Sequence, residues 1–173
     1  MRYPLSQLLT YGEEPFDIDE RVDFSDVAKT HHEIRKISDV FIQGTGRIRN
    51  KMIIFDLNIR CDVTLPCAVT LDDVVYPLDI QTREFFSFDE QAKEEDFEDD
   101  VTIVKGQVVE LAPVVWQNIV VNIPLRVVSP NAYQRVQAQG DNFELISDEL
   151  PTSSERKEID PRFEKLKELL DKM

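Results

Sequence analysis

Soft metal ligands and long apolar runs are what this chain has least of. Cys61 and Cys67 are its only cysteines and His31 and His32 its only histidines, so no disulfide framework can hold the fold. No stretch approaches the roughly 18 apolar residues of a membrane-spanning helix, and Met1–Pro4 leads into no apolar signal core. A cytoplasmic protein with no membrane contact is expected, its cysteines reduced thiols in a reducing compartment. Basic residues are also short: 20 Lys and Arg face 34 Asp and Glu, a net charge of -14. Such a surface repels phosphate at long range, which excludes free sliding on nucleic acid and confines any RNA contact to a local patch. Catalytic signatures are missing as well. There is no P-loop, Gly-x-Ser-x-Gly, His-Glu-x-x-His or Gly-rich dinucleotide turn. Neither His31 nor His32 has a Ser or Cys nucleophile nearby in sequence, and Asp72-Asp73 reads as turn chemistry ahead of a strand. The expectation is a non-enzyme with no catalytic residue, no cofactor and no metal.

What is present is a strong period-two pattern. At 42% hydrophobic content and 173 residues, one domain plus appendages can bury a core without staples. Residues 3–9 suggest a short helix with Leu5, Leu8 and Leu9 on one side, and Phe16–Phe24 reads as extended chain. From Ile34 to Phe88 the strand signal is strongest. Val40 and Ile42 precede Gly44-Thr45-Gly46, then Ile53, Phe55, Leu57, Ile59 and Cys61 alternate, then Val74, Tyr76, Leu78 and Ile80. Asn50-Lys51 marks a turn and Leu65–Ala68 a corner, so an antiparallel meander with one buried face is expected. Phe41, Phe55 and Tyr76 alternate like core residues, and Cys61 sits at an apolar position as a small buried hydrophobe.

The acidic run Asp89–Asp100 has too little apolar surface to offset its ordering entropy and reads as a mobile loop. Residues 111–123 fit either a helix, by the spacing of Leu111, Val114, Val115, Asn118, Ile119 and Asn122, or a strand, by their β-branched content. Pro113 near the start and Pro124 at the end favour a bounded helix, in which Trp116 is a core or interface anchor. A short extended piece is expected over 142–146. At the end of the chain, Asp160 can cap a helix and Pro161 suits its first turn. Phe163, Leu166, Leu169, Leu170 and Met173 then form one apolar stripe. Such a helix is marginal alone. It therefore packs on the parent domain or on a symmetric copy, as in a homodimer, or folds on a partner. The partner-docking residues are Asp160, Pro161, Arg162, Phe163, Leu166, Leu169 and Leu170.

Three segments in this order resemble one family. Glu110-Leu111-Ala112-Pro113 through Ile123-Pro124-Leu125 is similar to an Asp-Leu-x-Pro helix ending in Pro. Gly140-Asp141-Asn142-Phe143-Glu144 resembles a Gly-x-x-aromatic-Glu segment of Gram-positive members, and Ile159-Asp160-Pro161-Arg162 an Ile-Asp-Pro-Arg tail. The family is that of the YceD-type large ribosomal RNA subunit accumulation proteins, and the resemblance covers roughly residues 34–170. It implies a helix over 111–123. It also exposes a departure, because many members carry C-x-R-C-L at the strand corner and further cysteines before the tail, together resembling a structural zinc site. Here Cys67-Ala68-Val69-Thr70-Leu71 keeps only the first cysteine, and Ser129 stands about where another is expected. The chain therefore reads as a Gram-positive type without most zinc-site cysteines, apolar packing replacing the metal clip.

The expected fold is α+β: an antiparallel β-sheet meander with a packed helix and a C-terminal amphipathic helix. Its expected organisation is a single domain over 1–146 containing the acidic loop 89–100, a linker over 147–159 and the helix over 160–173. By resemblance, the function is non-catalytic support of 23S ribosomal RNA accumulation and large-subunit assembly. Partners would be that RNA or a pre-ribosomal particle. One basic island, from Lys29 to Arg60, offers the RNA-binding candidates Arg47, Arg49, Lys51 and Arg60. Arg47 and Arg49 share a strand face roughly 7 Å apart, a spacing that can straddle phosphates. A solvated hairpin tip with edge-blocking cations fits the same residues. A protein-only adaptor, holding a basic ribosomal protein by the acidic loop and tail, is the alternative. A metal-dependent nuclease built on the acidic residues is the third reading.

Overall fold

The computed structural model describes residues 1–89, 91, 92, 100–130 and 132, and the backbone of 139–140 and 143–144. Arg2–Pro4 is a short strand, β1, followed by a helical turn, α1 (Leu5–Leu8), and a 3-10 turn over Leu9–Tyr11. Pro4 caps the turn from outside, so helix begins at Leu5 rather than at residue 3. Leu5 and Leu8, three residues apart, point into the core, whereas Leu9 is 46% exposed.

Strand β2 (Phe16–Val22), a helical turn α2 (Ser25–Ala28) and the two-residue β3 (Lys36–Ile37) come next. Three long strands follow: β4 (Val40–Arg49), β5 (Met52–Pro66) and β6 (Asp73–Ser87). Between β4 and β5, Asn50 and Lys51 both take positive φ, 51° and 61°. That is the two-residue turn whose twist matches a hairpin, as the sequence suggests. β7 (Val101–Ile103), β8 (Val108–Glu110) and the helix α3 (Ala112–Val121) complete this unit.

The main sheet runs β2-β4-β5-β6-β7, with β3 pairing the far end of β5. β5 and β6 stay in register from Met52 opposite Ser87 to Pro66 opposite Asp73. One expectation needs correction. The meander is not wholly antiparallel, because β7 lies parallel to β6, with Phe85 opposite Val101. A parallel neighbour needs a long crossover, and the connection 88–100 provides it. β1 and β8 form a separate antiparallel pair.

Alternation places Ile53, Phe55, Leu57, Ile59, Cys61, Val63 and Leu65 of β5 on one buried face. Phe55 lies edge-on to Phe16 and Phe86, with ring centroids 6.1 and 5.4 Å away. Gly46 is directly opposite Phe16, and a Cβ there would sit 2.2 Å from the Phe16 ring. The missing side chain is thus the space the ring fills. α3 closes the face with Val115 and Ile119, both fully buried and four apart on one helical side. Trp116 stacks on Phe24 at 5.7 Å, and Asn118 donates to Glu84 at 2.8 Å.

The chain divides into Met1–Val136 and Gln137–Met173. In the second unit, β9 (Gln139–Gly140) pairs antiparallel with β10 (Phe143–Glu144), which falls in the extended piece expected there. Most of the acidic run 89–100 and all of the tail 160–173 lie outside the described residues.

Candidate nucleic-acid interface

A sheet with one buried face must present its other face somewhere, and here that face is a polar grid. Side chains of β4 at odd positions and of β5 at even positions point outward, as do Asp79, Gln81 and Arg83 of β6. Strand register sets them in rows. One row is Arg21, Phe41, Arg60 and Asp79; the next is Asp19, Gln43, Asn58 and Gln81; a third is Asp17, Thr45, Asp56 and Arg83.

All four RNA-binding candidates fall on this face or at its turn. Arg47 and Arg49 are exposed on the same side of β4, while Arg60 stands six residues along β5 from the partner of Arg47, roughly 20 Å away. Their surroundings differ. Arg47 donates to one carboxylate oxygen of Asp56 at 2.8 Å and Arg83 to the other at 2.5 Å. Those two hydrogen bonds, from Arg83 first and Arg47 second, hold the Asp56 carboxyl below the usual carboxylate range. Lys51, at the turn, pairs with Asp89 at 3.1 Å. Arg60 hydrogen-bonds the side-chain carbonyl of Gln43, a neutral acceptor. Among the described residues neither Arg49 nor Arg60 meets a carboxylate.

Phe41 corrects the sequence reading. It is not a core residue but lies 46% exposed on the outer face, with the Arg21 guanidinium 5.5 Å above its ring. The signal was available, since Val40 and Ile42 both point inward and the residue between them must point out. Tyr76 keeps the inward phase yet is 36% exposed, for that stretch of β6 has no strand on its other side. Arg21, Asp56 and Arg83 were also missed, because cross-strand neighbours are set by register rather than by spacing along the chain.

The corner between β5 and β6 holds the second cluster. The Cys67 N–H donates to the Asp72 carbonyl at 2.8 Å, and the Leu71 N–H to the Cys67 carbonyl at 2.9 Å. Leu71 takes a positive φ of 62° to make the turn. The Cys67 sulfur accepts N–H groups of Ser129 at 3.3 Å and Val69 at 3.5 Å, and Ala68 donates to Val127 at 2.8 Å. Hydrogen bonds from the Ser129 backbone first, then the Thr70 hydroxyl and the Thr70 and Val69 backbones, draw the thiol down to about 6. Cys61 goes the other way, pushed up to about 11 by burial and then by Asp62. Ser129 therefore does stand at Cys67, as its place in the sequence suggests. Tetrahedral zinc needs four good ligands; one thiol beside the Thr70 hydroxyl and backbone N–H groups of Val69 and Ser129 does not fit it. Among the described residues no three His, Cys, Asp or Glu side chains converge to hold a metal.

Asp73, of the acidic pair read as turn chemistry, is engaged by Arg35 in an ion pair. No helix among the described residues is long and apolar enough to cross a membrane.

Against known proteins, the chain matches the family described as large ribosomal RNA subunit accumulation protein YceD over residues 55–170. It belongs to the YceD family. The matched stretch begins within β5 and includes the corner, α3 and the tail residues Asp160, Pro161, Arg162, Phe163, Leu166, Leu169 and Leu170. A protein of Bacillus subtilis (strain 168), described as uncharacterized protein YlbN, is 33% identical over 172 residues, spanning 98% of this chain and 96% of that one. No solved structure matches the chain significantly. Membership in the YceD family associates the chain with accumulation of the large ribosomal RNA. The β2–β4 portion of the polar grid precedes the family match but lies within the stretch shared with YlbN.

Proposed function

We propose that this YceD-family chain supports 23S ribosomal RNA accumulation and large-subunit assembly as a non-catalytic adaptor that touches RNA through the outer face of β4, β5 and β6. The observation that carries this reading is the arginine content of that face. Arg47, Arg49, Arg60 and Arg83 project from it, and Arg21 from the neighbouring β2, in a chain of net charge -14. Those arginines are interleaved with Asp17, Asp19, Asp56 and Asp79, so the face binds RNA only where the two fit closely, which suits a factor that engages a particle and leaves it. Replacing Arg47, Arg49 and Lys51 with Glu is expected to weaken crosslinking to ribosomal RNA in cells at least several-fold. Unchanged crosslinking removes the hairpin end from the interface.

One observation favours a protein-only adaptor. A cleft of about 1000 Å³ lies between β7 and α3, and its charged lining is Glu84, Asp100 and Glu110 against Lys105. An acidic cleft beside a strand edge suits a basic, extended segment of a ribosomal protein. A salt titration separates the two readings. Phosphate contacts give affinity for pure RNA that falls steeply with salt, whereas a protein-only adaptor binds no RNA at any salt. The tail's apolar stripe of Phe163, Leu166, Leu169 and Leu170 is the second attachment in either case. Truncation after Glu158 is expected to leave the sheet folded and to abolish association with the particle.

A further inference from the structure

We propose that Phe41, framed by Arg21 and Arg60, is a stacking platform for an unpaired RNA base, so that the outer sheet face takes single-stranded RNA. The inference rests on the reading that this face meets RNA. What it adds is the form of the RNA and the residue that selects it.

The outward direction of Phe41 is fixed. Val40 and Ile42, on either side of it, are completely buried, and a slip of one residue would turn both into solvent. The ring therefore stays on a polar face where it has no apolar cluster to join. Its direct cross-strand neighbours are Arg21 of β2 and Arg60 of β5. Arg21 lies over the ring at 5.5 Å and also pairs with Asp39. Arg60 spends its hydrogen bond on the neutral Gln43, so its charge is left for a phosphate. In the adjoining row stand Gln43, Asn58 and Gln81, whose carboxamides both donate and accept. An aromatic ring beside unneutralised guanidinium, with carboxamides one row away, can stack a base, hold its phosphate and reach its edge.

Geometry and charge both favour a single strand over a duplex. A sheet face has no projection that enters the deep, narrow major groove of A-form RNA, whereas unpaired bases lie flat on exposed rings. The net charge of -14 works against any polyanion. Discrimination must then come from a short-range contact that phosphate alone does not offer, and stacking is such a contact.

The test uses the full chain with three probes: a short single-stranded RNA, the same strand in a duplex, and the same strand with abasic positions. Wild type is expected to prefer the intact single strand over the abasic one by roughly five- to a hundredfold. Phe41→Leu should abolish that preference while leaving the slope of log affinity against log salt and the melting temperature unchanged, and Phe41→Trp should keep it. A preference that survives in Phe41→Leu overturns the proposal. Equal binding of intact and abasic strands by wild type overturns it too, yet leaves the RNA-binding face standing if replacing Arg47, Arg49 and Lys51 with Glu still weakens both. Absence of RNA binding at any salt, with a protein occupying the face instead, overturns both.

Discussion

The two faces of the β4-β5-β6 sheet come from the same residues read at alternate positions, and they obey different rules. On the inner face, Ile53, Phe55, Ile59 and Val63 are completely buried in one hydrophobic cluster that also holds Leu5 and Leu8 of α1 and Val115 and Ile119 of α3. On the outer face, Arg47, Asp56 and Arg83 keep roughly a third to two-thirds of their side chains in water. Inner residues are therefore held by packing, and outer residues by cross-strand pairing that solvent weakens. The difference separates what makes the chain fold from what leaves it free to bind.

The sharpest way to break the comparison is to make an aromatic deletion on each face. Phe55→Ala empties space between Phe16 and Phe86 and should cost about 3–5 kcal/mol, read by denaturant unfolding. Phe41→Leu, on the adjacent strand β4 and the opposite face, should change stability by no more than about 0.5 kcal/mol. Equal costs would mean that the outer face is covered in the native state, and the separation of folding from binding would fail.

Cysteine sharpens it at the border. Cys61 and Cys67 occupy the same inward phase of β5 and its corner, and both are buried. Cys61 has apolar neighbours and is held as a thiol; Cys67 has N–H donors and is drawn toward thiolate, from an ordinary 9.0 to about 6. Because the folded value is the lower one, its contribution is complete above about pH 9 and is lost as pH falls through about 6. Wild type should therefore gain in melting temperature relative to Cys67→Ala as pH rises from 6 to 9. The two proteins differ only at this side chain, so the difference isolates the sulfur. A gap that does not change with pH would mean the sulfur acts only by filling space.

How much of this was legible beforehand follows from the same geometry. The Ile53–Cys61 and Val74–Ile80 alternations and the Asn50-Lys51 turn were readable because each is a local pattern, whereas spacing left 111–123 between helix and strand and the prolines and the family resemblance together favoured the helix. The outward pairing of Arg47 with Arg49 was readable too. Phe41 was misassigned because composition was weighed there before phase. The parallel β7 was missed because three residues carry no signature of direction, and the first helix started late because a proline's effect on its neighbour outweighed the leucine spacing. The Arg47-Asp56-Arg83 cluster could not be read at all, since 47, 56 and 83 meet only once the register of three strands is known. Ser129 beside Cys67 was found only because the family places a cysteine there.

The smallest effect tests the outer face from within. Asp56 neutralises Arg47 and Arg83 together, and its lowered carboxyl means that it protonates only below the ordinary carboxylate range. At neutral pH the cluster is therefore intact, and it partly occupies Arg47 and Arg83 as Asp39 does Arg21. Asp56→Asn removes the charge but keeps the size of the side chain. Its exposed position predicts a stability change within about 1 kcal/mol. RNA should nevertheless bind more tightly and with a steeper salt dependence, the slope growing by about 0.7 for each freed arginine that finds a phosphate on a single strand. Tighter binding without a change of slope would mean that the substitution merely relieves repulsion. An unchanged affinity would place Arg47 and Arg83 outside the RNA path and shift the contact toward Arg60 and Phe41.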